Sequence, residues 1–88
     1  MPIFLHAGLG KSIKRRDIVG IFDMDSSTVS GITRDYLARA QNENKVINIC
    51  EDIPKSFIIC NKKNEREHVT FISQLSSGTL CDRLKRKI

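Results

Sequence analysis

Hydrophobic residues follow two different periods along this chain of 88 residues. Most of them fall into short runs rich in valine, isoleucine and phenylalanine, bounded by glycine, proline or polar residues, which is typical of β-strands. Such runs, together with a basic extended stretch, predict strands at residues 3–5, 11–15, 18–24, 46–50, 56–61 and 68–75. No repeat, linker or low-complexity tract separates them. We therefore expect one domain over residues 1–88.

Two segments have helical periodicity instead. From Thr28 onward, apolar residues recur three or four positions apart and charged residues occupy the other side, which indicates an amphipathic helix. The apolar positions of this helix are Val29, Ile32, Tyr36, Leu37 and Ala40. A shorter C-terminal helix is predicted after residues 76–78, because apolar residues repeat every fourth position from Leu80 to Ile88. Its basic end complements the helix dipole.

Glycine, proline and clusters of polar residues mark the connections between these elements. Gly8 and Gly10 flank a turn between the first two strands. Residues 25–27 and 76–78 are helix-start signals rich in serine and aspartate. Pro54 places a loop before the fifth strand, because proline lacks an amide donor. The polar segment 62–67 predicts the exposed loop of a β-hairpin.

Composition agrees with a small folded domain. Hydrophobic residues make up 40% of the chain, too many for a disordered tail, and a chain of this length has room for one compact core. With no tryptophan, one tyrosine and four phenylalanines, that core must be mainly aliphatic. The predicted fold class is α+β, a small and mostly antiparallel β-sheet with one central amphipathic helix and a short C-terminal helix.

The charge is moderately basic, +5 from fifteen lysines and arginines against ten acidic residues, which favours a polyanionic partner without requiring one. Lys14, Arg15 and Arg16, with Lys11 nearby, form the densest basic run, and Asp17 closes it. Contact with phosphates explains this run. A solvated edge strand that uses cations to prevent edge-to-edge pairing explains it equally well.

Catalytic and cofactor sites are not indicated by the sequence. Gly8 to Ser12 resembles the end of a phosphate-binding loop, but Leu5 occupies the position of the required first glycine and a strand-like segment follows. His6 and His68 are not at metal-ligand spacing from a cysteine or carboxylate. We predict that the protein is not an enzyme, and that it has no cofactor, no metal and no small-molecule substrate.

Three cysteines, Cys50, Cys60 and Cys81, lie in apolar settings without a Cys-x-x-Cys spacing, so we predict reduced, non-catalytic thiols packed in the core. The first residues lack a charged leader, and no apolar stretch approaches the roughly 20 residues of a membrane span. We therefore expect a cytoplasmic protein without a membrane partner.

Several local strings carry a resemblance to a known family. They are the segment 14–23 (KRRDIVGIFD), the loop 54–56 (PKS) that leads into an apolar strand, and the segment 75–80 (LSSGTL). These strings and the order of elements resemble the bacterial extracellular-matrix regulators of the RemA and RemB type, and are closer to RemB. The likeness spans nearly the whole chain.

The resemblance implies a small α+β protomer, similar to a LytTR-type DNA-binding sheet, that assembles into closed rings. For RemA it implies DNA binding upstream of biofilm-matrix genes through arginines on the ring. Those arginines correspond to positions near Ile53 and Pro54, with Lys55 adjacent, and near Asp17, beside Arg15 and Arg16. The nucleic-acid-binding residues that we predict are Lys14, Arg15, Arg16 and Lys55.

Two functions stay open at this point. The first is a DNA-binding transcriptional regulator of extracellular-matrix and biofilm genes, in which a homo-oligomer repeats a weak basic patch along double-stranded DNA and contacts mainly phosphates. It requires the four basic residues to share a surface. The second is a protein-interaction or assembly module of the same fold, whose charge serves only solubility. It requires an apolar patch that stays exposed after self-assembly.

Overall fold

The computed structural model describes residues 4–24, 31–61 and 68–85. In this part of the chain the elements are β1 (Phe4–Gly8), β2 (Lys11–Lys14), β3 (Ile18–Asp23), α1 (Gly31–Asn42), β4 (Val46–Ile49), β5 (Ser56–Asn61), β6 (His68–Ser73) and α2 (Ser77–Lys85). A short 3-10 turn, Arg15–Asp17, joins β2 to β3. The predicted mixed α+β class is confirmed.

The strands form two sheets where the sequence predicts one. β1 and β2 are an antiparallel pair of their own, and the other four strands follow the order β3-β5-β6-β4. β5 pairs with both β3 and β6 in antiparallel fashion, which gives the predicted hairpin between β5 and β6. β4 pairs with β6 in parallel. The described part of the four-stranded sheet is therefore mostly antiparallel, with β3 and β4 at its edges.

One face of the four-stranded sheet carries the main core. Alternation along the β1–β2 hairpin turns Leu5, Ala7 and Ile13 toward this face, where they are buried. Leu80 of α2 is fully buried in the same cluster. The sheet contributes the remaining buried members of this cluster, which are Ile49, Ile58, Cys60 and Phe71. The hairpin and α2 therefore cover one face of the sheet together.

Helix α1 packs on the opposite face through its C-terminal half. The Tyr36 hydroxyl lies 2.9 Å from the Thr70 hydroxyl, and Ala40 is buried. Ile32, which the periodicity placed on the apolar side of the helix, is 84% exposed. That part of the predicted apolar stripe is wrong, because burial depends on which turns of the helix reach β4 and β6 and not on periodicity alone.

Four strands, β2, β3, β4 and β6, end before their predicted limits, and side-chain hydrogen bonds explain this for β4 and β6. The Asn48 side-chain oxygen accepts the Cys50 amide proton, which ends β4 at Ile49. Ser73 Oγ likewise accepts from the Leu75 amide, which ends β6. The predicted helix start at 25–30, the hairpin loop 62–67 and the C-terminal residues 86–88 lie outside the described residues.

Candidate nucleic-acid interface

The densest basic run of the sequence lies at the junction between the two sheets. Lys14 is the last residue of β2 and is the cross-strand partner of Phe4. Arg15 and Arg16 occupy the 3-10 turn, which closes when the Ile18 amide donates to the Arg15 carbonyl oxygen. Arg16 is exposed, and Lys14 and Arg15 are half-buried. Three consecutive cations therefore reach the surface just before β3.

Lys55 lies at the other end of the same strand pair. Its amide donates to the Ser73 carbonyl oxygen at 2.9 Å, and its own carbonyl oxygen accepts from the Met24 amide at 2.9 Å. Ile18, next to the 3-10 turn, is instead opposite Cys60 at the far end of β5. Four residue steps, or about 13 Å, separate the two ends of that ladder. The structure does not bring Lys55 next to Arg16 within one protomer.

The basic residues of β2 are divided between the two faces of the hairpin. Lys11 shares a face with the buried Ile13, and its ammonium nitrogen lies 5.3 Å from the centroid of the Phe71 ring. This is a cation–π contact against the four-stranded sheet. Lys14 stands one position after Ile13 and points away from the core. Of the two lysines, only Lys14 lies on the same surface as Arg15 and Arg16.

Arg83 is a cation near the hairpin, and its charge at the end of a helix was sufficient to explain it from the sequence. It lies in the last turn of α2, and its Nη1 donates to the His6 carbonyl oxygen of β1 at 2.9 Å. The guanidinium is thereby fixed beside β1, 77 residues away along the chain. No local pattern could have shown this contact, because it depends on how α2 crosses the hairpin. Arg86 and Lys87, which belong to the same basic run, lie outside the described residues.

His6 and Ser12 form a cross-strand pair on the exposed side of the hairpin. Ser12 Oγ lies 3.1 Å from His6 Nδ1, and both residues are exposed. In hydrolytic enzymes, a serine hydroxyl acts as the nucleophile and an adjacent imidazole acts as its general base. However, such catalysis needs a third group that orients the base and a site that excludes water. An open strand face in water provides neither the enclosure nor the low dielectric.

The glycine-rich segment before Ser12 is a hairpin turn, as the sequence predicts. Gly8, Leu9 and Gly10 all have positive φ angles, of 124°, 48° and 73°. Lys11 and Ser12 then begin β2 instead of a helix. A phosphate-binding loop requires a helix N-terminus at this point, because its amides and dipole hold the phosphates. The nucleotide-binding alternative therefore has no structural basis here.

The three cysteines are free thiols with different degrees of burial. Cys60 is in the core, as predicted, and burial together with the charge of Asp17 raises its pKa to about 11. Cys50 and Cys81 are only half-buried, so the prediction of core packing holds fully for Cys60 alone. Cys50 donates its thiol proton to the Asp52 carbonyl oxygen in the loop before β5.

The described residues contain neither a metal-binding cluster nor a membrane-spanning helix. Among residues 4–24, 31–61 and 68–85, no three or more histidine, cysteine, aspartate or glutamate side chains are grouped so that they could hold a metal ion. None of the helices in these ranges has the length and apolar character needed to cross a membrane. The surface cations around the hairpin and the 3-10 turn are thus the main candidate for a functional site.

The match to a protein-family model extends over almost the whole chain. A family model described as RemA-like, extracellular matrix regulatory protein A-like, matches residues 4–84. The chain belongs to the RemA-like family. The matched range contains the hairpin, the 3-10 turn and the four-stranded sheet, so the cationic surface is part of the family domain. No curated protein matches the chain.

Membership of the RemA-like family gives the protein a role in regulation of the extracellular matrix. A RemA-like protein is an extracellular matrix regulatory protein, and the family is regulatory in character. The greater likeness to RemB than to RemA stays a prediction from the short sequence strings. DNA binding and self-assembly likewise stay predictions.

Proposed function

We propose that this RemA-like protein is a DNA-binding transcriptional regulator of extracellular-matrix genes that acts as a homo-oligomer. The observation that carries the proposal is the run of three cations, Lys14 to Arg16, held at the surface by the 3-10 turn. A backbone-defined turn presents these charges in a fixed direction, which a flexible basic tail does not do. Family membership supplies the regulatory context.

Phosphates are the natural partners of these residues. Arginine guanidinium groups bind phosphate oxygens with two parallel hydrogen bonds, and each neutralised phosphate releases counterions from the duplex. Arg15 also has an interaction partner within the chain, so the exposed Arg16 is the more available of the two. Two or three contacts from one protomer give weak binding. Repetition of the same contacts along an oligomer raises the overall affinity.

Lys55 has a different role in this arrangement. About 17 Å of strand, the five residue steps from Lys55 to Cys60, separates it from the position next to the 3-10 turn, which is the rise of roughly five base pairs of duplex. One protomer can use both ends only if the duplex runs along β5. Otherwise Lys55 contacts the same duplex segment as the 3-10 turn of a neighbouring protomer. Either geometry makes Lys55 a supporting contact.

The proposal predicts a change in the salt dependence of DNA binding. We expect an Arg15→Ala, Arg16→Ala double variant to bind duplex DNA more weakly than the wild type at low salt. The slope of log affinity against log salt should fall by about one unit per lost phosphate contact, multiplied by the number of protomers on the duplex. Fluorescence anisotropy with a labelled duplex, measured over a range of salt concentrations, gives this slope.

A matched control is available on α1. An Arg34→Ala, Arg39→Ala double variant removes the same formal charge from two exposed helical arginines away from the 3-10 turn. It should keep a slope close to that of the wild type. If the two double variants lose the same amount of slope, net charge and not the 3-10 turn determines binding. An unchanged slope in the Arg15/Arg16 variant, with assembly intact, would show that this is the wrong surface.

A protein-interaction module is the second candidate, and an exposed apolar side chain outside the edge strands favours it. Ile53 is 73% exposed in the loop before Lys55. An isoleucine in such a position is suited to burial against another protein. This function becomes the better explanation if the wild type binds no duplex even at low salt.

A further inference from the structure

The outer face of the β1–β2 hairpin is a strand surface that carries no carboxylate among the residues that the structure describes. Its outward side chains are those that alternate with the buried Leu5, Ala7 and Ile13. They are Phe4 and His6 on β1, and Ser12 and Lys14 on β2. These four residues form two cross-strand pairs, Phe4 with Lys14 and His6 with Ser12. The face therefore offers one apolar ring, one cation and two hydrogen-bonding side chains.

The central pair of this face is held in place. Ser12 Oγ and His6 Nδ1 are 3.1 Å apart, so the imidazole and the hydroxyl restrict each other's rotation. Behind them, Leu5 and Ala7 are almost completely buried and anchor β1 to the core. Ser73 Oγ adds a hydrogen bond to the Ala7 carbonyl oxygen. Polar groups fixed on a rigid element lose little entropy on binding, which favours specific recognition.

Cations flank the central pair on both sides. On the β1 side, Arg83 donates one N–H to the His6 carbonyl oxygen and has further donors left. On the β2 side, Lys14 is followed directly by Arg15 and Arg16. His6 and Ser12 therefore lie between Arg83 on one side and the run from Lys14 to Arg16 on the other. In protein–DNA complexes, contacts with phosphates position the protein, and side chains on base edges specify the sequence. This face has residues suited to both kinds of contact.

We propose that this hairpin face enters the major groove of duplex DNA, with His6 and Ser12 as base-reading residues and Phe4 as an apolar contact. The inference rests on the DNA-binding function proposed above and adds sequence preference to it. A two-stranded ribbon fits the width of the B-form major groove. Histidine and serine supply donors and acceptors for base edges, and an exposed phenyl ring suits the thymine methyl group.

The occupant is duplex DNA and not duplex RNA, because the deep and narrow major groove of A-form RNA does not admit a ribbon. Base reading by the hairpin differs from the expectation drawn from the sequence, which was contact mainly with phosphates. A ribbon provides an alternative reading element that becomes visible once β1 and β2 are paired.

The test is a selection from a pool of random 25-base-pair DNA duplexes. The wild type should enrich a defined motif, which is then titrated beside a scrambled duplex of equal composition and an RNA duplex of the same sequence. A Ser12→Ala variant and a His6→Gln, Ser12→Ala double variant should bind the motif and the scrambled duplex with nearly equal affinity. The preference should fall by roughly fivefold or more, while the salt slope stays unchanged.

Lys11→Ala is the matched control, because Lys11 lies on the opposite face of the same strand against Phe71. It should keep the wild-type motif. Retention of the wild-type preference by both Ser12 variants would overturn the reading role of this face. A wild type that binds every duplex equally would overturn it too and leave the phosphate-binding function standing. Absence of any duplex binding by the wild type would overturn both. Circular dichroism of each variant checks that the fold is intact.

Discussion

Cys60 shows how one buried side chain couples stability to its surroundings. It lies opposite Ile18 at the start of β3, one residue after Asp17 of the 3-10 turn. Burial disfavours the thiolate, and the negative charge of Asp17 disfavours it further, so the pKa rises from 9.0 to about 11. The thiol is therefore protonated at neutral pH. This agrees with a packing role and not with that of an activated nucleophile.

The raised pKa predicts a loss of stability in alkaline solution. The folded state keeps the Cys60 proton up to about pH 11, whereas the unfolded state releases it near pH 9.0, so the free energy of unfolding should decline between these values. Urea unfolding with a reductant at a series of pH values measures the decline. The free energy of unfolding of a Cys60→Ala variant should decline less over this pH range than that of the wild type. Equal slopes for wild type and Cys60→Ala would contradict the assignment.

The position of the Phe22 ring depends on the glycine at position 20. The Phe22 ring stacks on Phe57 with centroids 5.1 Å apart. A Cβ atom at Gly20 would come within 2.8 Å of the Phe22 ring. The absence of a side chain at Gly20 therefore lets the ring lie flat beside its own strand. This close approach explains a glycine in the interior of β3, where glycine otherwise weakens a strand.

At the scale of elements, short hydrogen-bonded motifs set the ends of the helices. Ser76 Oγ accepts from the Thr79 amide at 3.1 Å, which makes Ser76 the N-cap of α2 and confirms the predicted start signal. At the end of α1, Asn44 adopts a φ of 58° and the Lys45 amide donates to the Ala40 carbonyl oxygen. A left-handed residue in this place is a common helix terminator, and asparagine tolerates it.

Ser73 joins elements that are far apart in sequence. Its hydroxyl donates to the Ala7 carbonyl oxygen at 2.5 Å and accepts from the Leu75 amide at 3.1 Å. The residue is fully buried, so the hydroxyl links the β1–β2 hairpin, the end of β6 and the approach to α2 without contact with water. The Ser73 hydroxyl therefore connects the two sheets by a hydrogen bond.

A Ser73→Ala variant should lower the free energy of unfolding by about 1–3 kcal/mol, because it leaves a buried carbonyl and a part-buried amide without their partner. Chemical denaturation measures the change. The exposed Ser12→Ala change should cost less than about 0.5 kcal/mol and serves as the control. A similarly small loss for Ser73→Ala would mean that the hairpin is held by apolar packing alone.

At the scale of the whole molecule, the open edges of the four-stranded sheet favour self-association. β3 and β4 are the edge strands of its described part, and each exposes a large apolar side chain, Val19 at 54% and Ile47 at 42%. Exposed edges of this kind pair readily with other chains. Because the two edges differ, pairing one with the other would be head-to-tail, which produces a ring or a filament.

We therefore expect a homo-oligomer in dilute solution, with a mass by light scattering that is a multiple of 10.0 kDa. Val19→Lys should lower this mass, since a charge on β3 disfavours edge pairing. Ile32→Lys is the control, because this residue is the more exposed of the two and lies on α1. A single species near 10 kDa at all concentrations would rule out the ring and, with it, the repeated DNA contacts.

The sequence by itself determined the local features of this protein. The type and order of the described strands and helices followed from periodicity, the Gly8–Gly10 turn and the Ser76 cap from residue type, and family membership from short strings spread over the chain. These signals depend on neighbours a few residues apart, since backbone preference and capping act at that range. The basic run from Lys14 to Arg16 could also be found from the sequence, because its members are consecutive residues.

Only the tertiary structure decided how these parts meet. It separated the hairpin from the main sheet, made β4 parallel to β6, and left Ile32 in water. It also placed Lys55 at the far end of β5 from Arg16 and brought Arg83 to His6. Each of these outcomes depends on packing between segments distant in sequence. Local periodicity specifies which side of an element is apolar, but not which partner covers it.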